Sequence, residues 1–574
     1  MSAKALVSGA LFWQILGSYG SSSDSRRCMT GARTPPAEPG DPARGRRLFG
    51  VAPIKLVFAL EYVLQGLANP FQGVTYQPFF RHFRFEYGLS EAATQNLFAK
   101  SYLAWSIKPI LGFLIDAYGK TRTLLIGLLS AASLGYLIAP LVDTGPFVFF
   151  AAMFGLSLLL AATDVSVDRA TVIVGEQEAK SADRPRSSTV GLNQAICWAS
   201  IYGTGIVAAV LGGYLAERVP VGALMTALAG APLVVLGVVL LLPKDNARAI
   251  PLRASVRAFW HGLNTGPLLG VMLFFFIFHF QPLMGALWNN HLLENLGFRQ
   301  SELGLGDGAS RAGSFLGVLL FVWKGVRWQE RWGLRALFRV YILIQVVLIF
   351  TQFALVEPWF GRATAGLHAL LPFADAGSVR IGYLISYNLL VAVADALIRM
   401  STFSLVGAVV PVAAAGSLFA GFMSVNSLAY SLSYSTGAWL YDHGPDVGFL
   451  SALDRALFPA VANSERMSIE MLILVGAAGY LLSFLAVRLV PERSATLASA
   501  TLEGSGPERW RALDARVRRS VDAAGLTAGV GLFLAATLAW SIDFVTAALM
   551  SFFGITLLRK AALDLLTRRL ARAA

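Results

Sequence analysis

Charged residues are scarce in this chain of 574 residues, because Asp, Glu, Lys and Arg together make up only 14% of it. Soluble globular proteins carry about 25%. No polar stretch is long enough to form a large water-soluble domain, which excludes a soluble single-core enzyme and a single-pass receptor. Cysteine is scarcer still, with only Cys28 and Cys197. Two cysteines exclude a disulfide framework and a Cys₄ or Cys₂His₂ metal site, although they do not indicate the compartment.

The chain also lacks the signatures of nucleotide-driven pumps and metalloproteases. Gly119-Lys120-Thr121 is similar to the end of a phosphate-binding loop, but that loop requires a glycine five residues before Gly119, where this chain has Leu114. No HExxH sequence occurs either. We therefore predict a protein that is not an enzyme and that has no catalytic residue, cofactor or metal site.

Apolar residues, in contrast, are abundant. Hydrophobic residues make up 56% of the chain, and the mean hydropathy is +0.61. They form about twelve runs of roughly 20 residues, each long enough for a helix to cross a ~30 Å hydrocarbon core. This pattern predicts an all-α, multi-pass protein whose solvent is the lipid bilayer. The predicted spans are 55–80, 94–115, 122–142, 146–170, 188–216, 221–243, 266–288, 310–324, 338–356, 380–402, 411–440 and 466–490.

The net charge of +13 raises the question of nucleic-acid binding. The basic residues, however, fall on alternate connections. Eight basic and three acidic residues precede the first span or begin it, and 244–265 has four against one, whereas 441–470 has two against five. The positive-inside rule therefore places the N-terminus and the end of the twelfth span in the cytoplasm. The surplus of positive charge therefore indicates the topology of the chain in the membrane rather than a nucleic-acid partner. We expect the plasma or inner membrane, with an organellar membrane as the alternative.

Six spans on each side of a basic connection predict a duplicated architecture. The halves cover 55–243 and 266–490, and the connection covers 244–265. The similar spacing of charges in the fourth and tenth spans supports the duplication, as in transporters that are built from repeats. We expect a disordered basic leader over 1–54, with Met29 as an alternative start, a polar linker over 491–522, and an apolar hairpin with a basic tail over 523–574. The arms of the hairpin are short, so it either crosses the bilayer twice or lies at its surface.

A short basic turn between the second and third spans has a distinct pattern, in which Gly112, Asp116, Gly119, Lys120 and Arg122 are the defining residues. Glycine allows two helix ends to approach closely, and an aspartate at a helix terminus can accept backbone or arginine hydrogen bonds. The pattern closely resembles the loop signature of the major facilitator superfamily. This resemblance implies a 6+6 helix fold in which the loop takes part in gating.

Longer stretches narrow the resemblance to one family. The segment from Trp105 to Asp116, which includes Lys108 and Pro109, strongly resembles a segment of the folate–biopterin transporters. The first, fourth and eleventh spans are also similar to that family, at Glu61–Leu67, Asp164–Asp168, and Phe419–Asn426 followed by Gly437–Leu440. At Ala415 the chain departs from the family, which often has a glutamate there. The resemblance covers roughly 55–490, and it implies a folate- or pterin-like substrate that moves together with protons.

Charges within the spans have roles that do not depend on the resemblance. A charge near mid-bilayer costs at least ~2.5–3.5 kcal/mol, so it should face a cavity or a partner. Asp164 and Asp168 share one helical face, and we expect one of them to hold a proton, unless Asp168 pairs with Arg169 as a structural contact. Lys108 either attracts a substrate carboxylate, pairs with an aspartate (Asp116 or Asp164) or reaches towards the cytoplasmic surface. The substrate and proton-path candidates are Glu61, Gln65, Lys108, Asp164, Asp168, Asn193, Asp395, Arg399 and Asn426.

Several of these candidates have a purely structural alternative. Asp395 and Arg399 can satisfy each other across one helical turn. Neutral side chains such as Asn193 are individually more typical of helix–helix contacts than of ligand contacts. His279, in a phenylalanine-rich run, is expected to pack or to bond a neighbour, with a proton relay as the alternative.

Three functions are compatible with the sequence. The first is a secondary active transporter of a folate- or pterin-like small molecule, coupled to protons and working by alternating access. The second is a facilitator-fold transporter of another solute, such as a sugar, a peptide or a cell-wall fragment. The third is a membrane scaffold or assembly factor that does not transport, for which the extra hairpin is the best support.

Overall fold

The computed structural model describes residues 51–182, 186–244, 249–263, 266–282, 285–357, 359–370, 373–409, 415–462, 465–490 and 558. Within these ranges all the elements are helices, which confirms the all-α prediction. The predicted leader up to residue 50 and the linker over 491–522 lie outside the described residues. So do the hairpin and tail over 523–574, apart from residue 558.

Each of the twelve predicted spans corresponds to a helix or to a series of helical segments. Spans 1 to 6 are, in order, Pro53–Ala68 with Tyr76–Arg81 and His82–Glu86; Glu91–Ser101 with Leu103–Ser106 and Lys108–Tyr118; Thr121–Ile138; Pro146–Ala182; Arg186–Leu215; and Val221–Leu228 with Gly230–Val239. Spans 7 to 12 are Gly266–His279 with Ala286–Asn290 and His291–Asn295; Gln300–Leu320 with Phe321–Gly325; Leu334–Phe350; Ala376–Val409; Ala415–His443; and Ile469–Ala486.

Eight helices in the described part of the chain are long and apolar enough to cross a membrane by length and composition. They are spans 3, 4, 5, 6, 8, 9, 10 and 12. Spans 1, 2 and 7 are divided into shorter segments, and span 11 contains many serines. Spans 6 and 8 are also divided, but their segments adjoin and together are long enough to cross. The four spans outside this group are those with segments of at most 16 residues or with more polar side chains.

The sequence predicted one continuous helix over 55–80, but span 1 is interrupted. Its first helix ends at Ala68, and a new segment begins at Tyr76. Between them, Asn69 Oδ1 accepts from the backbone N–H of Phe71 at 3.2 Å, and Thr75 Oγ1 donates to the carbonyl of Pro70 at 2.7 Å. Proline cannot continue the helical hydrogen bonding, and these side chains satisfy backbone groups that the break releases.

Span 8 begins at Gln300 rather than at the predicted residue 310. The extra turns contain several glycines and two charges, so hydropathy alone conceals them. Gly304 lies against Gly213 of span 5, where a Cβ on either residue would meet the other Cα within 2.9 Å. The glycines that weaken the apolar signal are therefore the residues that let spans 5 and 8 pack closely.

Other helix ends also differ from the predictions. Span 4 continues to Ala182 instead of ending at 170, because its polar last turns remain helical beyond the apolar stretch. The predicted connection over 244–265 contains a helix, Leu252–Leu263, whose Phe259 ring packs against Phe113 at 5.1 Å. Two further short helices, Trp359–Leu370 and Gly448–Leu457, lie in connections between spans.

The two groups of six spans meet along two main lines. Span 5 packs on span 8, and span 2 packs on span 11. We call the side on which span 1 begins the basic face, since it carries Lys120, Arg122 and the helix Leu252–Leu263. The other side, where span 2 begins, is the opposite face. The interior between these faces holds the buried polar residues described next.

Candidate functional site

A buried cluster of polar side chains joins spans 1, 2 and 4. Gln65 Nε2 donates to both carboxylate oxygens of Glu61, at 2.8 and 2.7 Å, and to Asp164 Oδ1 at 2.7 Å. Thr163 Oγ1 donates to Glu61 at 2.9 Å. Lys108 Nζ forms an ion pair with the other oxygen of Asp164. At most 4% of any of the residues Glu61, Gln65, Lys108 and Asp164 is exposed.

Lys108 is held on a second side by an aromatic ring. Its ammonium lies 4.7 Å from the centre of the Trp105 ring, which is within the range of a cation–π interaction. The helix of span 2 restarts at Lys108, with Pro109 in its first turn, where the missing N–H costs no hydrogen bond. Of the alternatives for Lys108, the structure shows the ion pair with Asp164.

Asp168 lies one turn from Asp164, and it is also fully buried. Its Oδ1 accepts from the hydroxyl of Tyr62 at 2.8 Å and from Gln194 Nε2 at 3.1 Å. The expected alternative, a pair between Asp168 and Arg169, does not occur. Arg169 instead donates to Asp116. Consecutive residues of a helix point about 100° apart, so the side chains of Asp168 and Arg169 do not face each other. Sequence reasoning missed the contact of Tyr62, since a tyrosine in a helix carries no specific signal.

The second half contributes a separate charge pair. Arg399 Nη2 donates to Asp395 Oδ2 at 2.9 Å and to the hydroxyl of Tyr430 at 3.2 Å. Its guanidinium lies 5.4 Å from the centre of the Trp198 ring of span 5. His279 Nε2 is 3.6 Å from Asp395, so the histidine of the phenylalanine-rich run faces this pair.

Among the described residues, the side chains of Asn193 and Asn426 form no hydrogen bond with either cluster. Asn193 Nδ2 donates to the carbonyl of Thr171 at 3.3 Å, which ties span 5 to span 4. Asn426 is buried in span 11, and its Oδ1 has no hydrogen-bond partner in the described part of the chain. The position Ala415, where the family pattern differs, is the first residue of the helix of span 11.

The turn between spans 2 and 3 closes the basic face. Asp116 is fully buried and accepts from Arg169 Nε at 3.1 Å, from Ser255 Oγ at 3.0 Å and from the backbone N–H of Ser417 at 3.1 Å. Ser255 and Ser417 belong to the connecting helix and to span 11. One carboxylate of the first half therefore holds two elements outside that half.

The other residues of this turn shape it or extend from it. Gly112 is buried in the last turns of span 2, and Gly119 ends that span with a φ of +74°, which favours glycine. Arg122 Nη2 donates to the carbonyl of Leu240 in span 6 at 3.0 Å, whereas Lys120 is exposed.

The opposite face is closed by polar contacts between the halves. Arg84 donates to Asn290 at 3.2 Å and to Glu294 at 2.8 Å, and Arg466 pairs with Glu91 at 3.1 Å. The Tyr441 hydroxyl and the Glu91 carboxylate raise the pKa of Arg466, so this guanidinium stays charged. Among the described residues, contacts between the halves are thus present at both faces, on either side of the buried clusters. Sequence reasoning missed these residues, because charges at span ends look like ordinary loop charges.

Comparisons with known proteins agree with this arrangement. A family model described as the BT1 family matches residues 65–499. A folate-biopterin transporter of Synechocystis sp. is 25% identical over 371 residues, which is 62% of this chain and 69% of that protein. A probable folate-biopterin transporter 4 of Arabidopsis thaliana is 28% identical over 174 residues, or 29% of this chain and 33% of that protein.

Among solved structures, the fold is similar to that of a D-xylose-proton symporter. The TM-score is 0.52 at 16% sequence identity, and the match covers 77% of this chain and 98% of the symporter. At this identity the likeness concerns the fold alone. It confirms the expected major facilitator fold of six plus six helices.

Proposed function

Because this chain belongs to the BT1 family of folate–biopterin transporters, we propose that it carries a folate- or pterin-like solute together with protons, by alternating access. The chain is a multi-pass membrane protein with the fold of transporters, and nothing in its family or fold relatives points to an enzyme. The observation that carries the proposal is the buried cluster of Glu61, Gln65, Lys108 and Asp164 between closed faces. Such a cluster near the bilayer midplane is where transporters of this architecture hold solute and ion.

The charge balance of the cluster supports proton coupling. Glu61, Asp164 and Asp168 bring three carboxylates into one buried region, and Lys108 is the one cation in ion-pair contact with them among the described residues. Fully ionised, the group would carry a net charge of about −2 away from water, which is costly. Proton uptake by one or two carboxylates removes this cost, and proton release would accompany exposure to solvent.

The hydrogen-bonding groups of a pterin are complementary to the same residues. A pterin presents a donor-rich edge that carboxylates such as Glu61 and Asp164 can accept, and a folate adds carboxylates for which Lys108 and Arg399 are candidate partners. The relatives in Synechocystis and Arabidopsis, a folate-biopterin transporter and a probable folate-biopterin transporter, favour this solute class.

The distribution of charge supports an orientation. The basic face carries the turn with Lys120 and Arg122 and the basic ends of spans 8 and 9, and such residues are retained in the cytoplasm. We therefore assign the basic face and the N-terminus to the cytoplasm of a plasma or inner membrane. The turn around Asp116 would then be a cytoplasmic gate.

Uptake into proteoliposomes tests the proposal. Labelled folate, biopterin, a sugar, a peptide and an unrelated anion are compared, each with and without an inward proton gradient. We expect uptake of a folate or a pterin, accelerated by the gradient. Uptake of the sugar or peptide alone would assign a different solute, and uptake of none would favour a non-transporting role.

Two variants test the residues. Asp164→Asn and Lys108→Ala should each lower uptake at least about tenfold, since each leaves a buried charge or its partner unmatched. Lys180→Ala is the matched control, because Lys180 is exposed and its ion pair among the described residues is with Glu176 on its own helix. If uptake were unchanged in both test variants, the assignment of these residues would be wrong.

A further inference from the structure

Arg311 is a charged residue within a span; it forms no ion pair with a carboxylate of the described residues, although it interacts electrostatically with Asp307. It lies in span 8, eleven residues after Gln300, and therefore about 16 Å along the helix from the opposite face. That depth is close to the middle of a ~30 Å hydrocarbon core. An arginine there requires a counter-charge or a polar cavity.

Its nearest acid is directed elsewhere. Asp307 is one turn earlier on the same helix, but its Oδ2 accepts from Gln77 Nε2 of span 1 at 2.7 Å. Among the described residues, no carboxylate oxygen lies within 4.0 Å of the Arg311 guanidinium. Its hydrogen bond in this structure is a long one, from Nη2 to the carbonyl of Gln72 at 3.5 Å.

Two other buried cations, Lys108 and Arg399, differ in this respect. Lys108 already has Asp164 as its partner, and Arg399 has Asp395. A solute carboxylate would have to displace a protein carboxylate at either position. At Arg311 it would meet a guanidinium whose donors are largely unused, which is the cheaper site for an incoming anion.

Aromatic residues from both halves surround this position. The guanidinium interacts electrostatically with the hydroxyls of Tyr76, Tyr102 and Tyr202, which come from spans 1, 2 and 5. The Tyr102 ring packs against Tyr430 and Tyr434 of span 11, with centroids 5.4 and 5.5 Å apart. Tyrosines near a guanidinium suit a solute that has a flat ring and an acidic group.

The interruption of span 1 brings the backbone to the same place. The carbonyl of Gln72, which Arg311 contacts, lies in the break between Ala68 and Tyr76. Interrupted spans with free backbone groups form the binding sites of many transporters. The break therefore places a backbone acceptor and the Arg311 guanidinium together at the interface between the halves.

We propose that Arg311 receives the carboxylate of the transported solute, so that the preferred solute is an aromatic heterocycle with an acidic side chain rather than a neutral pterin. This inference rests on the proposed function. The acidic group would form a bidentate pair with Arg311, and the ring would lie among Tyr102, Tyr202 and Tyr430. The carboxylate cluster of the first half would remain available for protons.

The test compares two solutes in the full-length protein. Folate has carboxylates and biopterin has none, so uptake of both is measured in proteoliposomes for the wild type, Arg311→Gln, Arg311→Lys and Asp307→Asn. For Arg311→Gln we expect the KM for folate to rise at least about tenfold, with less than a twofold change for biopterin. Arg311→Lys should raise the KM for folate by a smaller factor and again spare biopterin, because it keeps the charge and loses the fork of donors.

Asp307→Asn is the matched control for a purely structural role. If Arg311 served mainly to neutralise Asp307, Asp307→Asn and Arg311→Gln would change uptake of both solutes to a similar degree. That result, or an unchanged KM for folate in Arg311→Gln, would overturn the inference and leave the proposed function intact. A wild type that takes up neither solute would instead contradict the proposed function and this inference with it. Should Arg311→Gln fail to purify as a monodisperse protein, Arg311→Lys decides alone.

Discussion

Arg169 Nε donates to Asp116 Oδ1 at 3.1 Å, and at most 5% of either side chain is exposed. The pair links span 4 to the end of span 2. Asp116 in turn holds Ser255 and Ser417, so the same carboxylate connects the first half to the connecting helix and to span 11. Contacts at the basic face thus depend on one buried anion.

Removal of that anion should destabilise the protein strongly. We expect Asp116→Ala to lower the free energy of unfolding by about 3–5 kcal/mol, because it leaves the Arg169 charge buried without its partner. The double variant Asp116→Asn with Arg169→Gln should recover part of this loss, since no unpaired charge remains. Thermal unfolding of the purified protein measures both. A double variant that is as unstable as the sum of the two single variants would contradict the pairing.

Cys197 offers a reporter for opening of the interior. It is free, fully buried in span 5, and close enough to Asp168 to interact with it electrostatically. In a Cys28→Ser background, a maleimide should label Cys197 slowly, and Asp116→Ala should accelerate labelling several-fold because the basic face then opens more often. The same background with Cys197→Ser serves as the unlabelled control. Rapid labelling with the Asp116 contacts intact would show that the form with contacts at both faces is not the main one in solution.

The opposite face should respond to charge reversal. Arg84→Glu would place like charges beside Glu294 and Glu91, which lie 2.8 and 3.5 Å from Arg84. We expect faster labelling of Cys197 by an impermeant reagent added on that side. The exchange of both charges, Arg84→Glu with Glu294→Arg, should return the rate towards that of the wild type. If the exchange labelled as fast as the single variant, the contact between the halves would not control access.

Gly437 should tolerate no side chain. A Cβ at this position in span 11 would lie 1.7 Å from the carbonyl oxygen of Pro282, at the break in span 7. Gly437→Ala is therefore expected to reduce the yield of folded protein severalfold and to lower its melting temperature. Gly127→Ala is the matched control, because Gly127 is also helical and has open space around it. Equal yields for the two variants would contradict this close approach.

Much of the fold could be predicted because lipid imposes a simple rule. A span must be long and apolar, and that property is visible in single stretches of sequence such as those of spans 3 and 6. The rule fails where the backbone of a helix is interrupted or where glycines stand in place of large apolar side chains. Span 1 was predicted as one helix because the sequence around Pro70 is apolar, and span 8 was shortened because Gly304 and Asp307 lower the hydropathy of its first turns.

The candidate site was predicted only in part, for a related reason. Glu61, Lys108 and Asp164 could be found because a charge in an apolar run is conspicuous, and the structure brings them together with Gln65. Tyr62, the partner of Asp168, could not, because neutral polar residues are common in helices. The direction in which Arg169 points depends on packing between spans that are distant in sequence, which no local pattern contains.

The contacts at the two faces differ in how far they are exposed to water, and this difference determines how each face responds to dissolved salt. Asp116 and Arg169 meet away from water, where dissolved ions do not weaken their attraction. At the other end, the side chains of Glu294 and Arg466 are 36% and 49% exposed, so their pairs are screened as the salt concentration rises. Ionic strength in a single compartment should therefore bias the direction in which this protein opens.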